Sequence, residues 1–390
     1  MTIHHRCGLA ALLALLTLPS SAVTPATSAA STLPATPALP GPVAARQFIL
    51  VDQATGQTLA AQGEDQRAEP ASITKLMTAY VVFKALAEKR LRLEEPVTIS
   101  ERAWRAEGSR TFVEVGKQVP VEVLIKGMIV QSGNDAAIAL AERVAGSEPA
   151  FAELMNAEAQ RLGMRGSRFA NATGLPDPGL YSTARDIATL SRAIIRDYPQ
   201  FYSWYSLREY EFDGIRQPNR NGLLARDAGV DGLKTGHTAS AGYCLASSAM
   251  RAGTRFVSVV LGAESPRKRE EASMLLLEHG FRNFETVRLR KAGDTVLRPR
   301  VFKGAAEQIE IVPATDVATT VQRGRAGALR TATTVNAPMV APLKAGQRVG
   351  EIQVLDGDRV VQRVPLVAKS AVPEGGLWAR LRDTVLLWFQ

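Results

Sequence analysis

The sequence predicts an α+β protein in which an antiparallel sheet flanked by helices is followed by a small all-β domain. Strand-like segments stand on both sides of a helical middle, at residues 47–60 and 210–262, a distribution typical of α+β folds. After Thr286 no helical period persists, and short β-rich runs alternate with turn signals as far as Ala368. A chain of 390 residues is long enough for two or three compact domains.

The first 45 residues are not expected to belong to the folded part. A basic start at Arg6, an apolar stretch at 8–18 and the small residues Ser20-Ser21-Ala22 predict a secretory signal peptide over residues 1–22. The apolar stretch is short for a membrane-spanning helix, which disfavours a retained anchor. Residues 23–45 are rich in Ala, Pro, Thr and Ser and predict an unstructured linker. We therefore expect an exported protein.

A hairpin and a buried helix open the predicted catalytic domain, residues 46–285. Strands are expected at 47–52 and 58–60, joined by a turn at 54–57. Beyond Pro70, a residue that helices tolerate at their start, apolar side chains recur with helical spacing between residues 73 and 87. On that helix Ser72 and Lys75 would share one face, a turn apart.

The middle of the domain is predicted to be helical. Short strands are expected at 97–99 and 111–115, and a Gly/Pro-rich loop at 171–181. Apolar periodicity predicts helices at 121–130, 136–144, 150–162 and 183–195. Ser182 or Thr183 is available to cap the last of them.

Four strands and a helix complete the domain. The strands are predicted at 210–212, 230–234, 242–248 and 255–262. The helix is predicted over 270–278, ended by Gly280. Just before it, Ser265-Pro266-Arg267-Lys268 is interpreted as a solvated basic loop. Residues 286–370 should then form a β-sandwich without a catalytic constellation, serving as a spacer or binding module.

The tail, residues 371–390, has a different composition. After Gly375-Gly376 come apolar and aromatic residues interspersed with Arg380, Arg382 and Asp383. About 14 residues of helix reach only about 21 Å, too short to span a membrane. An amphipathic helix with tryptophans suits a lipid interface. The alternative is a terminal helix docked on the β domain, and the export signal favours the membrane.

Charge, histidines and cysteines narrow the function classes. A net charge of +9 and a pI near 9.7 suit a polyanionic neighbour. No zinc-finger spacing or interleaved basic and aromatic run is present, so nucleic acid is not an expected partner. The four histidines include no pair at metal-binding spacing, and neither a metal nor another cofactor is expected. Removal of Cys7 with the signal peptide leaves Cys244, expected to be a buried structural thiol.

Three short motifs stand in order along the chain. They are Ser72-x-x-Lys75, Ser132-Gly133-Asn134 and Lys234-Thr235-Gly236. The first alone is weak evidence, because Ser265 and Lys268 have the same spacing. Together they are specific, since the first opens a buried helix, the second follows a helix in a loop and the third ends a strand.

These motifs resemble those of the penicillin-binding proteins and serine β-lactamases. The resemblance is strongest to the low-molecular-mass D-alanyl-D-alanine carboxypeptidases of the penicillin-binding protein 5 type, and it extends over residues 47–390. Further stretches that look similar are 49–56, 131–136, 181–186, 214–224 and 230–243. The resemblance implies a penicillin-binding/β-lactamase-like catalytic fold followed by the all-β domain and the tail.

The resemblance implies a serine acyl-transfer mechanism. Ser72 would attack the carbonyl between two D-alanines and form an acyl-enzyme. Lys75 would accept the proton of Ser72, which requires a pKa lowered by burial and by a like charge such as Lys234. Ser132 would relay a proton between Lys75 or Lys234 and the leaving amine. Asn134 would hold the peptide amide of the substrate.

Other residues are implied to bind the substrate. Lys234 and Thr235 would receive its terminal carboxylate, and Gly236 would let the strand edge approach its backbone. The backbone N–H groups of Ser72 and His237 would form the oxyanion hole. Arg269 matches an arginine near the substrate carboxylate, although a surface charge is nearly as good an interpretation. Arg220 matches a family position whose role is expected to be structural.

The predicted function is a serine-type D-Ala-D-Ala carboxypeptidase that trims peptidoglycan pentapeptide stems. β-Lactam antibiotics would acylate it, and it would sit in the periplasm, peripheral on the outer face of the cytoplasmic membrane. The alternatives are a DD-endopeptidase with the same motifs, a β-lactamase and a non-catalytic wall-binding protein. No glutamate occurs from Ala159 to Arg208, which argues against the deacylating glutamate of class A β-lactamases.

Overall fold

The computed structural model describes residues 37–389. The predicted signal peptide, the first part of the predicted linker and Gln390 lie outside the described residues. Residues 37–46 contain no helix or strand, although Leu39, Val43 and Ala45 pack against the core. The α-helices in the described range are α1 (Lys75–Ala87), α2 (Glu101–Trp104), α3 (Val121–Val130), α4 (Asn134–Ala145), α5 (Glu148–Arg161), α6 (Ala184–Asp197), α7 (Pro199–Tyr202), α8 (Leu223–Arg226), α9 (Pro266–Asn283) and α10 (Leu377–Leu387).

Strands dominate both ends of the described chain. They are β1 (Gln47–Asp52), β2 (Thr58–Gln62), β3 (Pro96–Thr98), β4 (Gln118–Pro120), β5 (Glu209–Phe212), β6 (Ile215–Pro218), β7 (Val230–Thr238), β8 (Gly242–Arg251), β9 (Thr254–Ala263), β10 (Phe284–Arg290), β11 (Val301–Phe302), β12 (Ile311–Pro313), β13 (Val317–Gln322), β14 (Leu329–Val335), β15 (Met339–Val340), β16 (Arg348–Asp356) and β17 (Arg359–Ala368). Short 3-10 turns lie at Ala71–Thr74, Ser203–Ser206 and Ala326–Ala328.

A five-stranded antiparallel sheet in the order β2-β1-β9-β8-β7 organises the first part of the fold. Alternate side chains of its strands point to opposite faces. Ile49 and Val51 of β1 join the core formed with α1, α3 and α4, whereas Phe48 and Leu50 join the core under α9. The sheet is therefore covered by helices on both faces, and β7 lies at its open edge.

The structure corrects the prediction for the last helix of this part. The helix α9 begins at Pro266, and the Ser265 side chain caps it by accepting a hydrogen bond from the Lys268 N–H. The predicted basic loop is thus the helix N-terminus. Gly280 does not end the helix either. A Cβ at Gly280 would lie 2.8 Å from Phe256, so this glycine permits close packing of α9 on the sheet.

The strand predicted at 111–115 is absent from the structure. The backbone N–H groups of Thr111, Phe112 and Val113 all donate to the carboxylate of Asp135. A side chain therefore takes the hydrogen bonds that a neighbouring strand would have supplied. The segment that does pair here is β4, which lies antiparallel to β3.

Between α9 and α10 the fold is all-β, as predicted. The strands form a four-stranded sheet in the order β12-β17-β16-β14 and two pairs, β10 with β13 and β11 with β15. Buried aliphatic side chains, including Ile311, Val317, Ile352 and Leu366, form a separate core. In the described stretch between β10 and α10 no α-helix interrupts this architecture.

The terminal helix α10 is attached to the β part through its polar side. The carboxylate of Asp383 is buried, accepts a hydrogen bond from the Lys303 N–H at 2.6 Å and pairs with Arg300 at 3.0 Å. The apolar side chains of α10 and the two residues after it are exposed, at 53–86% for Leu377, Trp378, Leu381, Val385, Trp388 and Phe389. Within residues 37–389 we find no helix with the length and hydropathy needed to cross a membrane.

Candidate active site

The three sequence motifs meet at one cavity of about 400 Å³. It lies where the edge strand β7, the 3-10 turn before α1 and the α3–α4 junction come together. Its lining includes the predicted residues Ser72, Ser132, Thr235, Gly236, His237 and Arg269. The remaining predicted residues, Lys75, Asn134 and Lys234, are buried. The structure therefore brings all of the predicted residues to one region.

Ser72 lies in the 3-10 turn Ala71–Thr74 and not in the α-helix itself. Ala71 has a positive φ of 47°, which re-aims the chain immediately before the serine. Gly174 packs closely against the turn from the other side, since a Cβ there would lie 1.9 Å from the Ala71 carbonyl oxygen. Ser72 is thus held at the cavity by packing of its backbone.

Lys75 is placed to exchange a proton with Ser72. Its Nζ donates to Ser72 Oγ at 3.0 Å, to Asn134 Oδ1 at 2.6 Å and to the Thr173 carbonyl at 2.6 Å. A carbonyl can only accept, and a neutral amine has two N–H groups. With those two groups on Asn134 and Thr173, the lone pair of the neutral amine faces Ser72. That is the arrangement of a base.

The pKa of Lys75 supports this arrangement. This pKa is lowered to about 7, mainly by burial and also by the nearby positive charge of Arg220. The carboxylates of Asp135 and Glu148 act in the opposite direction. The neutral form is consequently accessible near pH 7, whereas an ordinary lysine is neutral only about one part in 10³.

Asn134 has both ends of its amide bound within the protein. Its Oδ1 accepts from Lys75, and its Nδ2 donates to the Glu107 carbonyl at 2.6 Å. The structure therefore gives Asn134 a role that the sequence did not indicate, the orientation of Lys75. The predicted contact between Asn134 and the peptide amide of the substrate stays a prediction.

Ser132 is strained and its hydroxyl is unpaired. It follows α3 with a positive φ of 65°, an unusual conformation for a serine. In the described part of the chain its buried Oγ has no hydrogen-bond partner. Unpaired buried polar atoms are uncommon and often mark a functional group. Ser132 lines the cavity, so its unpaired hydroxyl is available to a bound molecule.

Positive charges converge behind the cavity. Lys234 is buried, and its Nζ has one hydrogen bond within residues 37–389, to the Thr235 carbonyl at 3.2 Å. Burial lowers the pKa of Lys234 well below its usual value, and the charges of Lys75, Arg220 and Arg269 lower it further. A bound anion would stabilise the charged form of each of these basic groups, so the site is suited to an anion.

The two arginines of this cluster, Arg269 and Arg220, contact neighbouring protein groups. Arg269 donates to the Arg220 carbonyl at 3.2 Å, and its guanidinium lies 6.0 Å from the centroid of the Tyr243 ring. The Nε of Arg269 has no partner within the described residues. Arg220 lines the cavity and contacts Gln131 at 3.5 Å. It therefore has an electrostatic role beside the structural one that was expected.

A glycine is required at position 236 because β7 approaches the turn before α1 closely. A Cβ there would lie 2.9 Å from the Pro70 carbonyl oxygen and 3.2 Å from Ala71 Cβ. Glycine thus lets β7 lie directly against the turn that carries Ser72. The strand continues through Thr238, so the third motif lies inside a strand and does not end it, contrary to the prediction.

Three contributors to the site were missed by the sequence analysis. The ring of Tyr243 stacks on the exposed ring of His237 at 4.0 Å, because the two residues pair across β7 and β8. The Thr173 carbonyl binds Lys75, and Asp135 fixes the segment next to Asn134. Only Asp135 had a sequence signal, its position directly after the second motif. Cys244 is buried, as predicted.

Comparison with known proteins identifies the family. A family model described as D-alanyl-D-alanine carboxypeptidase matches residues 33–265, and one described as penicillin-binding protein 5, C-terminal domain, matches residues 284–374. The chain belongs to the D-alanyl-D-alanine carboxypeptidase family. It is 44% identical over 356 residues to D-alanyl-D-alanine carboxypeptidase DacC of Escherichia coli K12, which covers 89% of each chain.

Solved structures agree with this assignment. Penicillin-binding protein 5 from Haemophilus influenzae superimposes with a TM-score of 0.79 at 38% identity and covers 87% of this chain and 100% of its own. An ampicillin-bound form of penicillin-binding protein D2 from Listeria monocytogenes has a TM-score of 0.57 at 32% identity, with 61% and 98% covered.

The comparisons confirm the predicted fold and the predicted function. The fold is penicillin-binding/β-lactamase-like with a C-terminal all-β domain. The protein is a serine-type D-Ala-D-Ala carboxypeptidase, and this function is supported over the endopeptidase, β-lactamase and non-catalytic alternatives. Among the described residues we find no group of three or more His, Cys, Asp or Glu side chains that could hold a metal ion.

Proposed function

We propose that this carboxypeptidase releases the terminal D-alanine of peptidoglycan pentapeptide stems through an acyl-enzyme on Ser72. The observation that carries this proposal is the buried Lys75 amine at 3.0 Å from Ser72 Oγ, with its other two contacts fixed on acceptors. β-Lactams, which resemble an acyl-D-Ala-D-Ala terminus, would acylate the same oxygen. The ampicillin-bound relative supports this expectation.

In the first half-reaction Lys75 removes the proton of Ser72, and Oγ attacks the carbonyl carbon between the two D-alanines. The backbone N–H groups of Ser72 and His237 stabilise the resulting oxyanion, each by about 3 kcal/mol. The proton now on Lys75 passes through the unpaired hydroxyl of Ser132 to the leaving nitrogen. The C–N bond breaks, and D-alanine leaves.

The substrate carboxylate is held at the basic end of the cavity. Lys234, Thr235 and Arg269 are the groups proposed to bind it, since Thr235 and Arg269 line the cavity and Lys234 lies buried next to Thr235. Bringing a carboxylate there also raises the proton affinity of the neighbouring amines. In the second half-reaction a water attacks the ester, its hydroxyl group stays on the acyl carbon, and its proton returns to Ser72 Oγ through Lys75.

Covalent labelling tests this assignment. Wild-type protein should take up a fluorescent penicillin and release D-alanine from a pentapeptide, whereas Ser72→Ala should do neither. Ser265→Ala is the matched control, because Ser265 shares the motif spacing but only caps α9. It should cost about 1 kcal/mol of stability and keep both activities. Equal labelling of Ser72→Ala and wild type would refute the acyl-serine.

We further propose that the protein is exported to the periplasm and held on the outer face of the cytoplasmic membrane by α10. The exposed apolar side chains of this helix support the proposal, since tryptophans at a helix surface suit the lipid interface. The two interpretations of the tail are compatible, because its polar side docks on the β part through Asp383.

A further inference from the structure

A second cavity of about 330 Å³ lies just past the end of the active-site strand β7. Its lining includes Arg67 and Glu69, which precede the Ser72 turn, Ser240, which follows β7, and Tyr181. Within the segment before the turn, Ala68 pairs through its backbone with Ser182. In extended chain the neighbours of Ala68 point to the same side. Arg67 and Glu69 therefore face the same cavity.

Three charged side chains line this cavity, Arg46, Arg67 and Glu69, and Arg46 is already bound to backbone carbonyls. Arg67 and Glu69 are not paired with each other. Arg67 lies over the Tyr181 ring, with its guanidinium carbon 4.2 Å from the ring centroid. Glu69 accepts hydrogen bonds from the Ser240 hydroxyl at 2.5 Å and from the Thr238 hydroxyl at 3.5 Å. In residues 37–389 neither side chain has an ion-pair partner. The Tyr181 ring holds Arg67, and the two hydroxyls hold Glu69. The two opposite charges therefore stay apart, and both can bind a ligand.

The position of the cavity relates it to the path of the substrate. Under the proposed function, on which this step rests, the terminal carboxylate lies beside Lys234 and Thr235 and the reacting carbonyl beside His237. The rest of the stem must then continue past Thr238. An extended peptide advances about 3.4 Å per residue, so the residue before the two D-alanines comes opposite Glu69, which bonds Thr238.

We propose that the Arg67–Glu69 cavity binds the side chain of the third stem residue and selects a diamino dicarboxylic acid. Such a side chain ends in an ammonium and a carboxylate on one carbon. Glu69 receives the ammonium and Arg67 the carboxylate, so each charge of the ligand meets the opposite charge of the protein. A lysine at this position carries only the ammonium, so it pairs with Glu69 and leaves Arg67 without a partner.

Three pentapeptides that differ at the third residue test this selection. They carry meso-diaminopimelic acid, lysine or Nε-acetyllysine, and kcat/KM for D-alanine release is measured with each. Arg67→Gln should lower the value about fivefold for the diaminopimelate peptide and leave the other two unchanged. Glu69→Gln should lower it for both amine-bearing peptides and spare acetyllysine. Penicillin acylation, which involves no third residue, should be unaffected in both variants.

Arg90→Gln is the matched control, because Arg90 is an exposed arginine paired with Glu88 on another part of the surface. It should change none of the three values. Binding of the same peptides to Ser72→Ala, measured by calorimetry, gives a readout without turnover. The selection is refuted if binding and kcat/KM are the same for all three peptides. It is also refuted if Arg67→Gln and Glu69→Gln affect all three peptides alike. In either case the acyl-serine stands. If D-alanine release fails with every peptide, the proposed function fails, and the binding series still decides the selection.

Discussion

Lys75 is the residue on which the chemistry depends. The sequence shows that it lies one turn from Ser72, and the requirement for a lowered pKa follows from the reaction. Burial, the main source of that lowering, was expected, whereas the like charge was expected from Lys234 and comes from Arg220, far along the chain. Likewise, the Thr173 carbonyl that orients the amine is 98 residues away from Lys75. Neither partner belongs to a motif.

The acylation rate should follow the deprotonation of Lys75. Below about pH 7 the amine is protonated and cannot accept the Ser72 proton, so the rate should rise about tenfold per pH unit and level off above pH 7. Stopped-time labelling with fluorescent penicillin across pH measures this profile. Arg220→Gln removes a positive charge, raises the pKa of Lys75 and should move the inflection to higher pH. A profile that is flat, or that shifts downward in this variant, contradicts the assignment of Lys75 as base.

At the scale of elements, α4 depends on Asp135 at its first turn. The carboxylate receives the N–H groups of three residues in the segment before α3 as well as that of Ala136. Negative charge at a helix N-terminus is also favourable. Asp135 therefore joins a loop to the helix that carries Asn134, and it explains why that loop is not a strand.

Asp135→Ala should destabilise the protein by about 3 kcal/mol, because several buried N–H groups lose a charged acceptor. Urea unfolding followed by circular dichroism measures the change. Glu153→Ala on the exposed side of α5 is the control, expected within about 0.5 kcal/mol of wild type. Penicillin labelling of the folded variant should also slow, since Asn134 loses its fixed neighbour. Equal stability of the two variants contradicts this account.

The elements that were predicted well are those with a strong local pattern. The hairpin, the helices with clear apolar periodicity and the strands β8 and β9 were placed within a few residues. Errors arose where a distant group changes the local preference. Phe256 makes Gly280 a packing residue, and Asp135 replaces a strand partner. The site was predictable because its motifs are contiguous, whereas Tyr243 acts only through its pairing opposite His237 across two strands.

At the scale of the whole molecule, α10 should decide where the protein is found. Deletion of residues 375–390 should move it from the membrane to the soluble fraction in a vesicle flotation assay, with penicillin labelling intact. Replacement of Trp378 and Trp388 by serine should weaken flotation in the same direction. Asp383→Ala is the informative control, because it removes docking but keeps the apolar face. It should still float, and α10 should become easier to cleave by protease. Flotation of the deleted form contradicts the anchor.

The distribution of the catalytic groups along the chain has a further consequence. Ser72, Ser132 and Lys234 belong to segments that touch only when the helical layer and the edge of the sheet are packed together. A partly folded molecule, even with its local helices formed, holds no neutral lysine against Ser72. A fluorescent penicillin therefore counts native molecules. In a urea titration the labelled fraction should fall together with the loss of circular dichroism, which makes the antibiotic a reporter of correct folding.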